Sequence, residues 1–178
     1  MNVDDNLENM ERGSSKDKAK STSEKMVSPI PDNYAGATPY LYVNMASAAL
    51  DFYQKAFGAK VLVSIKDDKN RIVHSEILIG KARVMISDEF PEMDCYSPRH
   101  LGGTTSGITL FFEDSDKIFK QAIESGAQEL RKVEDLFCGD RGGKIVDPFG
   151  HQWFIYTHKE DLSYDELKKR GEKLFRKH

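Results

Sequence analysis

The chain repeats itself, and that repetition limits what it can fold into more than any other feature. Leu41 and Val43 recur 69 positions later as Leu110 and Phe112, while Gly58-Ala59 recurs 68 positions later as Gly126-Ala127, so one residue is lost within the second copy. Each copy reads strand, helix, strand, strand, strand. In the first, Thr38 to Val43 alternates, with Leu41 and Val43 on one face and Thr38, Tyr40 and Tyr42 on the other. Asn44 follows as a stop or helix cap, Ala46 to Phe57 carries Ala46, Leu50, Tyr53 and Phe57 at helical spacing, and Gly58 stands where a C-terminal cap belongs. Strand patterns then cover Lys60–Ile65, Arg71–Ile79 and Ala82–Ser87. A loop from about Asp88 to Thr105, rich in Pro, Gly and Ser, leads to the second copy, with a helix over Asp116–Ser125 and strands near Glu129–Val133, Lys144–Asp147 and Gln152–Thr157. A repeat of this kind is a pair of βαβββ modules, at about 37–88 and 105–158, in a domain spanning 34–160. The fold class is α+β.

The flanks differ in character. Residues 1–33 are polar and charged with no apolar period and are expected to be a disordered tail, either a solubilising leader or a regulatory or partner-binding arm. Residues 161–178 begin with Ser163-Tyr164-Asp165-Glu166, a capping box, and continue as an amphipathic helix with an apolar stripe of Leu167, Leu174 and Phe175 against a basic remainder. Docking on the domain or on a partner subunit suits so thin a stripe better than a membrane surface.

With 39% apolar residues, 31% charged and a net charge of -3, the balance points to neither nucleic acid nor lipid. No apolar run of membrane-spanning length and no signal-peptide core exist. Cys95 and Cys138 form no disulfide framework and no zinc motif, so a cytoplasmic protein with inert cysteines is expected.

Residues 134–158 hold the densest polar chemistry. Asp147-Pro148-Phe149-Gly150 is a tight turn between two strands, and Gly139-Asp140-Arg141-Gly142-Gly143 sets a cation among glycines. This hairpin, together with Pro29-Ile30-Pro31-Asp32-Asn33-Tyr34, Thr38-Pro39-Tyr40-Leu41-Tyr42-Val43, Asp51-Phe52-Tyr53-Gln54-Lys55-Ala56-Phe57-Gly58 and Met85-Ile86-Ser87-Asp88-Glu89, resembles the PhnB-like subgroup of the vicinal-oxygen-chelate superfamily. That superfamily holds glyoxalase I, extradiol dioxygenases and bleomycin and fosfomycin resistance proteins. The sequence departs from the subgroup at Cys138 and Gly142, where bulky aromatic residues are usual.

The resemblance implies that each module curls its sheet into half a cup with helices on the outer face. The apolar strand positions Leu41, Val43, Val84, Ile86, Ile108, Leu110, Phe112, Trp153 and Ile155 then meet the helices. Thr38, Tyr40, Tyr42, His74, Glu76, Arg83, Met85, Gly107, Thr109, Phe111, Gln152, Phe154 and Tyr156 face the cup. The superfamily's metal positions, carried over, fall on Thr38, Met85, Gly107 and Phe154, none of which offers an imidazole or carboxylate. No cofactor is therefore expected, a divalent metal being conceivable only at a relocated site.

His74 and Glu76 share a strand face about 7 Å apart along it and read as a hydrogen-bonded pair, as ligand contacts, or as acid and base. Arg141 either pairs with Asp140 or Glu134 or offers its guanidinium to an anion. The expected ligand contacts are Tyr40, Tyr42, Arg83, Met85, Thr109, Phe111, Arg141, Phe154 and Tyr156, suited to an aromatic or amphipathic molecule with one anionic group. Two functions follow: a metal-independent small-molecule-binding protein, or a glyoxalase-type lyase or isomerase, with or without a relocated divalent metal, in which Glu76 is base, His74 acid and Arg141 steadies an enediolate. A structural or interaction protein working through its tail and basic helix is a third. A homodimer is expected, because half-cups leave edge strands that a second chain can cover.

Overall fold

Alternation along the strands and a 3.6-residue period in the helices produce the elements in the expected order. The first module is β1 (Tyr40–Val43), α1 (Ala46–Phe57), β2 (Lys60–Lys66), β3 (Ile72–Ile79) and β4 (Ala82–Asp88). A linker follows, and it is not the plain loop expected: it holds a 3-10 turn (Pro91–Met93) and the one-turn helix α2 (Pro98–Leu101), capped by Ser97, whose hydroxyl accepts from the His100 amide. The second module is β5 (Gly107–Phe111), α3 (Ser115–Glu124), β6 (Gln128–Asp135), β7 (Asp140–Val146) and β8 (Gln152–His158), and α4 (Tyr164–Phe175) closes the chain. The computed structural model describes residues 27–31, 34 and 36–175. The expectation of a disordered tail thus falls mostly outside the described residues, as do Arg176 and Lys177 of the basic helix. The unit beginning at Tyr34 carries every element named above.

Each module forms one four-stranded mixed sheet, ordered β1-β4-β3-β2 and β5-β8-β7-β6. The duplication extends to register: Tyr40 pairs with Met85 and Thr109 with Phe154, and both members of the second pair stand 69 positions after those of the first. It extends to helix capping as well. Asn44 does not cap α1; the Asp88 carboxylate, at the end of β4, accepts from the Ala46 amide at 2.8 Å. At the equivalent place Thr157, at the end of β8, accepts from the Ser115 amide at 2.8 Å. A strand-end side chain reaches a helix start in both copies because the helix's first amides have no partner of their own.

The helices pack on one side of the sheets. Gln121 of α3 donates to the Lys55 and Ala56 carbonyls at 2.6 and 3.1 Å, satisfying the otherwise unpaired last turn of α1. Between them lies an aromatic core drawn from both modules: the Trp153 ring is 5.3 Å from Tyr53 and 5.0 Å from Phe57, and Phe52 is 6.1 Å from Phe149. The expected helix-facing residues Leu41, Val43, Val84, Ile86, Leu110, Trp153 and Ile155 are all buried, with Ile108 and Phe112 packed against them. Each such side chain contributes about 1.5–3 kcal/mol by leaving water.

The Asp147-Pro148-Phe149-Gly150 turn is built around a buried carboxylate. Asp147 Oδ1 accepts from the Phe149 and His151 amides at 2.9 Å each, and Gly150 takes a φ of 95° that permits the reversal. At the carboxyl end, Ser163 caps α4 by accepting from the Glu166 amide at 3.2 Å, and Gly171 packs against the Phe137 ring. Among the described residues no helix is long and apolar enough to cross a membrane.

Candidate functional site

Cross-strand partners share a sheet face, so register alone assembles the surface opposite the helices. In the first module it joins Tyr40, Met85, Glu76 and Val63 in one row, and His74 with Ile65 in the next. Glu76 is the hub. Its Oε1 accepts from the Tyr34 hydroxyl at 2.6 Å and lies 3.3 Å from His74 Nε2, while Oε2 takes the Arg83 guanidinium in a close ion pair. The Arg83 guanidinium also lies over the Tyr34 ring, 4.7 Å from its centroid. The Tyr34 hydroxyl, followed by His74 and Arg83, holds the Glu76 carboxyl below its ordinary value, against burial that pushes it up. The same bond pushes the Tyr34 phenol up. A carboxylate so satisfied and so acidic accepts protons poorly near neutral pH. It is better suited to holding a donor. Tyr40 extends the surface, its ring 6.1 Å from His74 and 5.1 Å from Tyr42.

In the second module the same face joins Arg131, Lys144, Phe154 and Thr109 in one row and Gly142, Tyr156 and Phe111 in the next. Lys144 Nζ sits 5.1 Å from the Phe154 ring, and Arg131 donates to the Tyr156 hydroxyl at 3.1 Å. Phe111, 58% exposed, meets the Tyr156 ring edge-on at 5.9 Å. Tyr156 leans across Gly142, in the space a side chain there would take. A ring from the neighbouring strand thus fills the space beside position 142. Among the described residues, Arg83 Nε and Arg131 Nε are buried donors without a hydrogen-bond partner. Each is costly to leave unmet, and each lies on this face.

β1 and β5 are both edge strands, and residues of both line one cavity. Its volume is ≈ 270 Å³, and it is lined by Tyr40, Gly107, Ile108 and Gln152 among others. A second, of ≈ 500 Å³, is walled by Tyr40, Tyr42 and His151 and by Tyr96 and Leu101 of the linker, a volume in the range of small-molecule sites. His151 Nε2 donates to the Tyr42 carbonyl at 3.1 Å and so ties the second module to β1. Burial holds its imidazole below the ordinary value, although Asp147 and the Tyr42 carbonyl draw it up. The Cys95 thiol nearby, then burial, pushes the Tyr42 phenol up.

Residues 33–155 match the Glyoxalase/Bleomycin resistance protein/Dioxygenase superfamily. The chain belongs to that superfamily. The uncharacterized protein Rv0887c of Mycobacterium tuberculosis is 35% identical over 133 residues, which cover 73% of this chain and 78% of the relative. Among solved structures, TioX from Micromonospora sp. ML1 is similar at a TM-score of 0.55 and 21% identity, covering 72% of this chain and 100% of TioX. The fosfomycin resistance protein FosX of Listeria monocytogenes is similar at a TM-score of 0.53 and 14% identity, covering 75% and 98%. At these identities the two structures show the fold alone.

The four positions to which the resemblance carries the superfamily's metal ligands are Thr38, Met85, Gly107 and Phe154. Met85 lies beside Tyr40, and Phe154 lies across Gly107, whose Cβ would come within 2.6 Å of the phenyl ring. With Thr38, the four positions offer a hydroxyl, a thioether and no nitrogen or carboxylate donor. Among the described residues no three His, Cys, Asp or Glu side chains are grouped to hold a metal.

Of the residues singled out in the sequence, Tyr40, Tyr42, His74, Glu76, Arg83 and Met85 lie on the first sheet's face opposite the helices, and Thr109, Phe111, Phe154 and Tyr156 on the second's. Arg141 does not. It pairs with Thr157 on the helix-bearing face, and its guanidinium grips Asp116 at 2.7 and 2.8 Å and Asp135 at 3.1 Å, partners other than the Asp140 or Glu134 expected. The Asp116 carboxylate first, then Asp135, raises its already high pKa. Gly142 and Gly143 beside it are strand residues, since β7 begins at Asp140. The triad of Glu76, His74 and Arg141 is therefore not assembled. Lys144, Arg131 and Tyr34 were missed. For Lys144 the signal was present: position 144 has the opposite strand parity to Arg141 and hence the cup side.

Proposed function

We propose that this protein binds an amphipathic aromatic small molecule bearing one anionic group, without using the superfamily's metal positions, and that it stands nearest the PhnB-like subgroup. The observation that carries this reading is the second module's inner face, where Lys144 and Arg131 are interleaved with Phe154, Tyr156 and Phe111. Rings give apolar area and the two cations give an anion its counter-charge. The partnerless Arg131 Nε is a donor that an acceptor group would satisfy. A thermal-shift screen of aromatic carboxylates, sulfonates and phosphates in the presence of a chelator tests it. A true ligand at 100 times its Kd stabilises by about 2.7 kcal/mol. No stabilisation by any aromatic anion, with turnover appearing only on adding a divalent metal, would defeat it in favour of the lyase reading.

The proposal includes a homodimer. Edge strand β2 exposes Val61, Leu62, Val63 and Ile65, and edge strand β6 exposes Leu130. Uncovered apolar edges invite pairing with another chain. Light scattering should give about twice the 20.2 kDa chain mass; a mass of one chain would sink this part.

A further inference from the structure

We propose that Glu76 and Arg83 form a recognition site for a phenolic hydroxyl, which Tyr34 fills in cis in place of a small phenolic ligand. This rests on the reading above, in which the cup takes an aromatic molecule, and it adds the chemistry of one end of that molecule.

Tyr34 stands six positions ahead of β1, outside either module's repeat. Its two contacts are those a phenol ligand would need. The hydroxyl donates to the Glu76 carboxylate at 2.6 Å, and the ring face receives the Arg83 guanidinium at 4.7 Å. Glu76 Oε1 takes a hydroxyl donor that a bare ring does not bring, and an aromatic acid would set like charge against it. The guanidinium asks for a π face. Arg83 is held for this by its ion pair with Glu76, and the pair is mostly buried, with side-chain exposures of 16% and 13%. Beside them the rings of His74, Tyr40 and Tyr42 follow at 6.1 and 5.1 Å, a surface for the rest of a planar molecule. A residue tethered in cis competes at millimolar effective concentration, and a ligand's apparent affinity falls with the fraction of sites so filled.

The test is titration of p-cresol, followed by NMR, into the wild-type chain, Tyr34→Ala and Tyr34→Ala/Glu76→Gln, with 4-methylanisole as the ring lacking an O–H. Tyr34→Ala should bind p-cresol about tenfold or more tightly than wild type, 4-methylanisole should show no such gain, and Glu76→Gln should remove it. If Tyr34→Ala fails to fold, Tyr34→Phe, which keeps the ring but releases the carboxylate, should show a smaller gain. An unchanged p-cresol affinity, or an equal gain for 4-methylanisole, overturns the proposal. Titrating the same proteins with 8-anilinonaphthalene-1-sulfonate separates the two readings. Intact dye binding without the cresol gain refutes the phenol site alone; a cresol gain without dye binding upholds it and refutes the anion-binding reading.

Discussion

The Tyr53 hydroxyl of α1 donates to Asp147 Oδ2 at 2.7 Å, joining the helix of the first module to the last turn of the second through a carboxylate that is 3% exposed. Trp153 Nε1 donates to the same oxygen at 2.8 Å. Two amides of the turn hold the other oxygen, so the buried charge has four donors and no need of a cation. Burial, then the carboxylate, pushes the Tyr53 phenol well above its ordinary value. Asp147→Ala strips all four donors of their acceptor and should cost about 3 kcal/mol or more, while Tyr53→Phe, which removes one donor, should cost about 1–2 kcal/mol. Urea unfolding of the two variants measures both. Equal losses would show that the carboxylate does not act as a shared hub.

Acid sensitivity should trace in part to His151. Burial lowers its folded pKa below the ordinary 6.5, so the unfolded chain binds a proton that the folded chain refuses. Its contribution is full above pH 6.5 and is lost as pH falls from there toward the folded value, at up to about 1.4 kcal/mol per pH unit. In His151→Gln that slope between pH 7 and 5 should flatten. A slope identical to wild type would remove His151 from the acid response.

Gly142→Ala should be destabilising by about 1–3 kcal/mol, because its methyl group would run into the Tyr156 ring and the Ile155 carbonyl. Only the ring can swing aside. Binding of aromatic anions should weaken with stability, since the Arg131 to Tyr156 contact moves with it. A variant as stable as wild type and with unaltered binding would contradict the packing described for this face.

Arg141→Ala should leave ligand binding unchanged and cost little stability, as its partners Asp116 and Asp135 are themselves exposed. Isothermal titration with any ligand found by the screen decides this. A loss of affinity beyond tenfold would return Arg141 to the site.

Much of the architecture was written in period and spacing. The 69-residue offset between Leu41 and Leu110 gave the modules, and alternation placed Tyr40 and Phe154 on one face and Trp153 and Ile155 on the other. Local pattern offers Asn44 as a stop or cap and cannot show a distant side chain such as Asp88, 42 positions from the amide it serves. Nor did pattern find α2, whose single turn depends on Ser97 rather than on an apolar period. Arg141 misled because a guanidinium among glycines suggested a place for an anion to approach. Gly142 and Gly143 are instead there because Tyr156 and Phe119 occupy the space their side chains would need. Tyr34 lies outside both repeats, and nothing local ties it to Glu76, 42 positions on.

The proposed function requires the inner face of the second module to bind an aromatic anion with no metal. Titration of 8-anilinonaphthalene-1-sulfonate in excess chelator, into wild type and Lys144→Glu, tests it most directly. The expected result is saturable one-site binding in wild type that chelator does not affect and that Lys144→Glu weakens about tenfold or more, the reversal of one charge beside Phe154. Binding that chelator abolishes and a divalent metal restores, or that Lys144→Glu leaves untouched, would contradict it.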